Sequence, residues 1–162
     1  MTDSPTPETV LLSSLTRLMA QWSSTAVHAE FARVAEVDID AGDVQPVYLL
    51  GLDGPKRASD LAVMLRISRP TMTKQIARLE AAGFVARADD PRDGRAVIVS
   101  LTDRGSRAFE ALVQQGLVAV HGALGAWTHV ERAQFADMMH RFTADLTGST
   151  AHPKEHRSEE KS

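Results

Sequence analysis

The stretch Ser68-Arg69-Pro70-Thr71-Met72-Thr73-Lys74-Gln75-Ile76-Ala77-Arg78-Leu79-Glu80-Ala81-Ala82-Gly83 decides the fold. Ser68 is a hydroxyl where a helix needs its first backbone N–H groups capped. Gly83 is the residue type that ends a helix in the left-handed conformation. Between them Met72, Ile76 and Leu79 recur at helical spacing and share one face. Arg69, Thr71, Thr73, Lys74 and Arg78 are left facing outward. Just upstream, Ser59 is expected to cap a short helix, Asp60-Leu61-Ala62-Val63-Met64-Leu65, with Ile67-Ser68 as the turn. Helix, tight turn and second helix with a Thr/Lys/Arg outer face is the layout of a helix-turn-helix whose second helix reads DNA.

Beyond Gly83 the period changes from 3.6 to 2. Phe84 to Arg87 reads as a strand, Asp89 to Gly94 as a turn, and Arg95 to Thr102 as a second strand, with Val97, Val99 and Leu101 alternating with Ala96, Ile98 and Ser100. Asp-Pro-Arg-Asp-Gly supplies the turn chemistry. A basic-tipped hairpin beside a helix-turn-helix is a wing. The pair Asp89-Asp90 in this turn reads as two solvated acids.

Helical patterns flank this module. Thr6-Pro7-Glu8 is a helix start. Leu11, Leu15, Leu18 and Trp22 form a stripe that Phe31 and Val34 prolong, so one helix from about 7 to 35 is expected, too long for a small domain to satisfy alone. Residues 38–43 form a polar break, where Asp43 is expected to cap a helix from Val44 to Leu50, followed by a turn from Gly51 to Pro55. After the wing, Phe109, Leu112, Val113, Leu117, Val120 and Leu124 mark a helix from Asp103 to near Gly125. Thr128-His129-Val130-Glu131 is a capping box opening a last helix to about Leu146, with Phe135, Met138, Met139, Phe142 and Leu146 on its apolar side. Residues 148–162 read as a polar tail. The expected fold class is mainly α with a small β wing. A winged helix-turn-helix (36–105) stands between an N-terminal dimerisation helix (1–35) and C-terminal dimerisation helices (106–147).

Charge agrees with this division. Of 18 basic and 21 acidic residues in the 162, 11 basic and 6 acidic lie between Lys56 and Arg107, a local balance of +5 against −8 elsewhere. Phosphate neutralisation supplies most sequence-independent affinity for nucleic acid, and a basic centre between acidic arms suits it. The absence of cysteine excludes disulfides, thiolate metal sites and a thiol switch. The six histidines are scattered without metal-ligand spacing, so no metal and no cofactor are expected. Trp22, Met19 and Tyr48 read as packing residues. No phosphate loop, nucleophile elbow or HExxH pattern appears, which argues against an enzyme. Met1 to Glu8 lack the basic and apolar regions of a secretory signal, and no apolar run has the length of a membrane span. A cytoplasmic protein without membrane contact is expected.

The ordered set Ser59-Asp60-Leu61-Ala62, Ser68 to Lys74, Leu79 to Val85, Asp90-Pro91-Arg92-Asp93-Gly94-Arg95 and Val99-Ser100-Leu101-Thr102-Asp103-Arg104-Gly105 resembles the multiple-antibiotic-resistance regulator (MarR) family of bacterial transcription factors. The tight match covers about a third of the chain. The resemblance implies a homodimer that binds a pseudo-palindromic promoter operator in double-stranded DNA. It further implies a repressor released by a small phenolic or lipophilic effector.

Ser68, at a helix N-terminus, and the long side chains of Arg69 and Lys74 suit phosphate or guanine contacts. By family position Pro70, Thr71, Thr73 and Lys74 are the residues for base readout, while Arg78 suits backbone phosphate. In the wing, Arg95 is expected over the minor groove with Asp93 orienting it, and Arg92 is the second cation of the tip. Gly94 departs from the arginine common at that position. The alternative is a winged-helix dimerisation or protein-interaction module without operator binding, for which these exposed cations would have no use.

Overall fold

The computed structural model describes residues 5–149, with the side chains of Arg95 and Ser149 outside that description. It forms seven helices and a three-stranded antiparallel sheet within these residues: α1 Pro7–Trp22, α2 Thr25–Val34, α3 Val44–Asp53, β1 Lys56–Arg57, α4 Ala58–Met64, α5 Arg69–Ala81, β2 Val85–Asp90, β3 Asp93–Leu101, α6 Asp103–Ala123 and α7 His129–Ser149. The expected tail at 148–162 lies, beyond Ser149, outside the described residues. Among the described residues, no helix is long and apolar enough to cross a membrane.

The winged helix-turn-helix is present. Ser68 caps α5, its side chain accepting the Thr71 N–H at 3.2 Å, and Gly83 stands at φ 76° just past the helix end. Met72, Ile76 and Leu79 are buried together with Leu61, Val47, Val99 and Phe84 in one aliphatic core. The turn between α4 and α5 is made by Arg66 at φ 54°, a left-handed conformation costly for a side chain with a Cβ. Thr102 closes the module: its hydroxyl donates to the Gly83 carbonyl at 2.6 Å and accepts the Gly105 N–H at 3.1 Å. Gly105 has to be glycine, because a Cβ there would lie 1.9 Å from the Phe84 carbonyl oxygen.

Several elements differ from the sequence expectation. The single helix expected from 7 to 35 is two helices, broken at Ser23-Ser24. The Ser23 hydroxyl turns back to the Met19 carbonyl at 2.6 Å, and Ser24 adopts extended geometry to cap α2 through the Ala26 N–H. Hydroxyls that compete for backbone groups end helices in this way. Asp43 precedes α3 but makes no side-chain cap, because its carboxylate is taken by Arg78. Ser59 does not cap α4 either. That helix starts at Ala58, and the Ser59 hydroxyl meets Asp60. Helix α3 runs to Asp53, through the turn expected from Gly51. The wing turn is tighter than the expected 89–94: only Pro91-Arg92 lie outside the strands, with a bulge between Asp89 and Asp90. A third strand, β1, pairs Lys56 with Val99 and Arg57 with Ile98.

The chain divides into two compact units, residues 1–118 and 119–162. The first holds the core above, to which α6 contributes Ala108 and Leu112. Tyr48 joins α3 to α6, its hydroxyl donating to the Leu112 carbonyl at 3.0 Å and its ring meeting Phe109 edge-on. Trp22 stacks edge-to-face on Phe31, so both aromatics serve packing while Met19 stays exposed. In the second unit the expected capping box forms: Thr128 N donates to Glu131 Oε2 at 2.7 Å and Glu131 N to Thr128 Oγ1 at 3.3 Å. Trp127 packs edge-on against Phe135 at 5.3 Å.

Candidate nucleic-acid interface

Burial of Met72, Ile76 and Leu79 decides which way α5 faces. The opposite surface, Ser68, Arg69, Pro70, Thr71, Thr73 and Lys74, is exposed throughout. The Ser68 and Thr71 hydroxyls share a hydrogen bond of 2.7 Å at the helix start. The Thr73 hydroxyl donates back to the Arg69 carbonyl at 2.9 Å, so its hydrogen is already used within the helix. Among the described residues, neither Arg69 nor Lys74 forms an ion pair. Four other cations of the module do: Lys56 with Asp53, Arg57 with Asp90, Arg78 with Asp43, and Arg87 with Glu80.

That division sorts the sequence candidates. Arg78 holds Asp43 with both forks, Nε to Oδ2 at 2.9 Å and Nη2 to Oδ1 at 2.6 Å, and Asp43 is almost wholly buried. The hydrogen bond and charge of Asp43 raise the guanidinium pKa above its ordinary value. One turn earlier Gln75 Nε2 donates to the Gly42 carbonyl at 2.8 Å. Arg78 therefore straps α5 to the 3-10 turn at Ala41–Asp43, a duty its position near the base-facing residues did not reveal.

Arg92 at the wing apex and Asp93 beside it are exposed, and Asp93 sits opposite Asp90 in the hairpin register. Arg95 belongs to β3, and its side chain is outside the described residues. Gly94 has open space where a Cβ would project. Asp90, expected to be solvated, is buried. It accepts the Arg92 backbone N–H and the Arg57 guanidinium, and these, the Arg92 amide foremost, hold its carboxyl below the usual carboxylate range. Between wing and α5 lies a cleft of about 360 Å³ bordered by Arg57, Ser59, Arg69, Thr73, Asp93 and Val97.

Sequence reading missed Arg57, Asp90, Asp43 and Gln75 as positioning groups. Their partners lie 33 to 35 residues away, and no periodicity carries such a pairing. Among the described residues no three His, Asp or Glu side chains converge as a metal site.

Comparison with known proteins agrees with this geometry. Residues 47–97 match the MarR family model. The HTH-type transcriptional regulator YxaD of Bacillus subtilis is 31% identical over 88 residues, 54% of this chain and 62% of that protein. The chain thus spans less than two thirds of the length of that relative. The transcriptional activatory protein BadR of Rhodopseudomonas palustris is 40% identical over 63 residues, 39% of this chain and 36% of that protein. Among solved structures, a MarR family protein from Bacillus stearothermophilus superposes with a TM-score of 0.72 at 20% identity, covering 89% of this chain and 99% of that one.

Proposed function

On the premise that residues 47–97 are a MarR-family domain, we propose that the chain is a sequence-specific DNA-binding transcriptional regulator and not a catalyst. It acts as a homodimeric repressor on a pseudo-palindromic promoter operator, and a small phenolic or lipophilic ligand releases it. One observation carries the DNA reading: among the described residues, the exposed face of α5 holds Arg69 and Lys74 without an acid partner, while the neighbouring cations Arg57, Arg78 and Arg87 are each paired. Cations left unpaired on one face cost nothing in water and are available to phosphates and guanine edges. Thr71 and Thr73 flank them with methyl groups suited to thymine. The wing residues Arg95, oriented by Asp93, and Arg92 then take the adjacent minor groove.

The second copy is supported by apolar surface. Leu12 and Met19 on α1 and Met138 and Leu146 on α7 are all exposed in the single chain, more than isolated surface residues would explain. Ligand release requires that the effector prefer a spacing of the two recognition helices that does not fit the operator.

Titration of the purified protein against its own upstream DNA and against random duplex, at several salt concentrations, tests this function. A specific dimer complex with a steep negative salt slope is expected, and Lys74→Ala should weaken binding and reduce the slope by about one. A folded dimer that binds neither duplex even at low salt would sink the DNA reading in favour of a protein-interaction module. A reporter under the bound promoter separates repression from the activation named for BadR.

A further inference from the structure

An acid at the tip of a surface hairpin is ordinarily solvated, yet Asp90 is 5% exposed. Its two oxygens have different tasks. Oδ1 accepts the Arg92 backbone N–H at 2.8 Å and so closes the apex Pro91-Arg92. Oδ2 accepts Arg57 Nε at 2.6 Å, with Arg57 Nη2 on the same oxygen. Arg57 lies in β1 and is also the residue that immediately precedes α4. One carboxylate therefore ties the wing apex to the first residue of the helix-turn-helix.

Little else in the described structure performs that task. Backbone pairing joins β1 to the hairpin only at Lys56 with Val99 and Arg57 with Ile98, several residues short of the apex. The bulge between Asp89 and Asp90 interrupts the β2–β3 ladder at the same point, which bends the strand and increases its local twist. Open space lies on both sides of the ion pair: the cleft of about 360 Å³ toward α5, and one of about 560 Å³ bordered by Lys56, Asp60, Pro91, Arg92 and Ile98. Across that space the apex is reached by a polar contact, a charge-assisted hydrogen bond.

We propose that Arg57 and Asp90 are positioning residues for DNA reading, setting the height and angle of the wing apex relative to α5 so that minor-groove and major-groove contacts form together. The inference rests on the DNA-binding function proposed above. It separates two kinds of loss. Helix α5 is held by its own buried stripe and by Asp43 and Gly42, so releasing the wing should leave its contacts intact. Only the base steps beneath the wing should lose discrimination.

The test uses the full chain and an operator selected with it from a random-sequence duplex pool. Wing-facing A·T pairs are then replaced by G·C or by inosine·C. Inosine·C keeps the minor-groove face of A·T and presents the major groove of G·C, because inosine lacks the N2 amino group. The native chain is expected to tolerate inosine·C there and to bind G·C more weakly. Arg57→Ala and Asp90→Asn should bind the unmodified operator roughly ten- to hundredfold more weakly, the scale of one lost charge-assisted bond. They should no longer distinguish the two replacements, yet keep the native preferences at α5-facing steps. The double variant should be no weaker than either single one. Arg57→Lys, which keeps one donor and the charge, should recover part of the discrimination. Variants that discriminate as the native chain does overturn the inference, as does a uniform loss at every step accompanied by a lower Tm. A native chain that selects no sequence at all sinks the DNA-binding function and this inference with it.

Discussion

In α5, Met72, Ile76 and Leu79 recur at helical spacing and none is more than 2% exposed; in α7, Phe135, Met138 and Leu146 recur at similar spacing and are 38%, 57% and 54% exposed. The sequence pattern is the same and the surroundings are opposite. Helix α5 meets its complement in the same chain, in Leu61, Val47, Val99 and Phe84. Helix α1 resembles α7 in this respect, with no buried residue along its length. Periodicity reports that a face is apolar and says nothing of what covers it. What covers these faces, on the function proposed here, is a second copy.

The largest expected effect tests that contrast. Leu61 is fully buried, and Leu61→Ala should cost about 2–5 kcal/mol at any protein concentration, since a cavity in a closed core has no other remedy. Met138→Ala should behave otherwise. In dilute protein, where copies separate, its cost should fall within about 0.5 kcal/mol, as for a surface position. In concentrated protein, where association stabilises the fold, the cost should be larger. Urea melts over a wide concentration range measure both. A Met138→Ala cost that never varies with concentration would remove the second copy from α7.

Next in size is a pH effect where α2 meets the 3-10 turn at Ala41–Asp43. His28 on α2 is buried against the start of the module, and burial lowers its pKa below the ordinary 6.5, with backbone hydrogen bonds to Ala41 and Trp22 opposing part of that shift. The folded chain therefore takes this proton less readily than the unfolded one. Stability from neutral His28 is complete above about pH 6.5 and is lost as pH falls through the lower folded value. Asp90 acts in a separate window. Its carboxyl is held below 3.8, so its contribution persists above that value and is lost only in stronger acid. Tm measured from pH 7 to 5 should fall more steeply for the native chain than for His28→Gln. Parallel curves would show that His28 does not link α2 to the module through its charge state.

The extent to which this was legible in the sequence follows from how far each signal reaches. The Ser68 cap, the Met72-Ile76-Leu79 stripe and the Thr128–Glu131 capping box are local patterns, and the fold bears each of them out. The hairpin also forms, but the alternation expected along β3 does not appear as alternating burial, since among the described residues only Val99 is buried there. The break between α1 and α2 was also local: Ser23, Ser24 and Thr25 are three successive hydroxyls inside an otherwise regular stripe, and the stripe outweighed them. Strand β1 has two residues, too few to show a period of 2. The pairs Arg78–Asp43 and Arg57–Asp90 bring together residues 35 and 33 positions apart. They became visible only when folding made neighbours of them; Asp90, expected to be solvated, is buried, and Arg78 holds Asp43 while staying exposed.

The smallest effect concerns the wing apex, where one residue can be changed without touching either region's packing. Gly94 is exposed, and a Cβ there would meet no atom within 4 Å. Gly94→Arg should therefore leave stability within about 0.5 kcal/mol of the native chain. On the DNA-binding function it adds a cation beside Arg92, and each added phosphate contact steepens the salt slope by roughly one. The same substitution at a surface unconnected with DNA would alter neither affinity nor slope, so an unchanged salt series, with an unchanged Tm, would place the wing apex away from the duplex. A steeper slope confined to operators with A·T pairs beneath the wing would instead locate the new guanidinium in the minor groove, where a narrow groove concentrates negative potential.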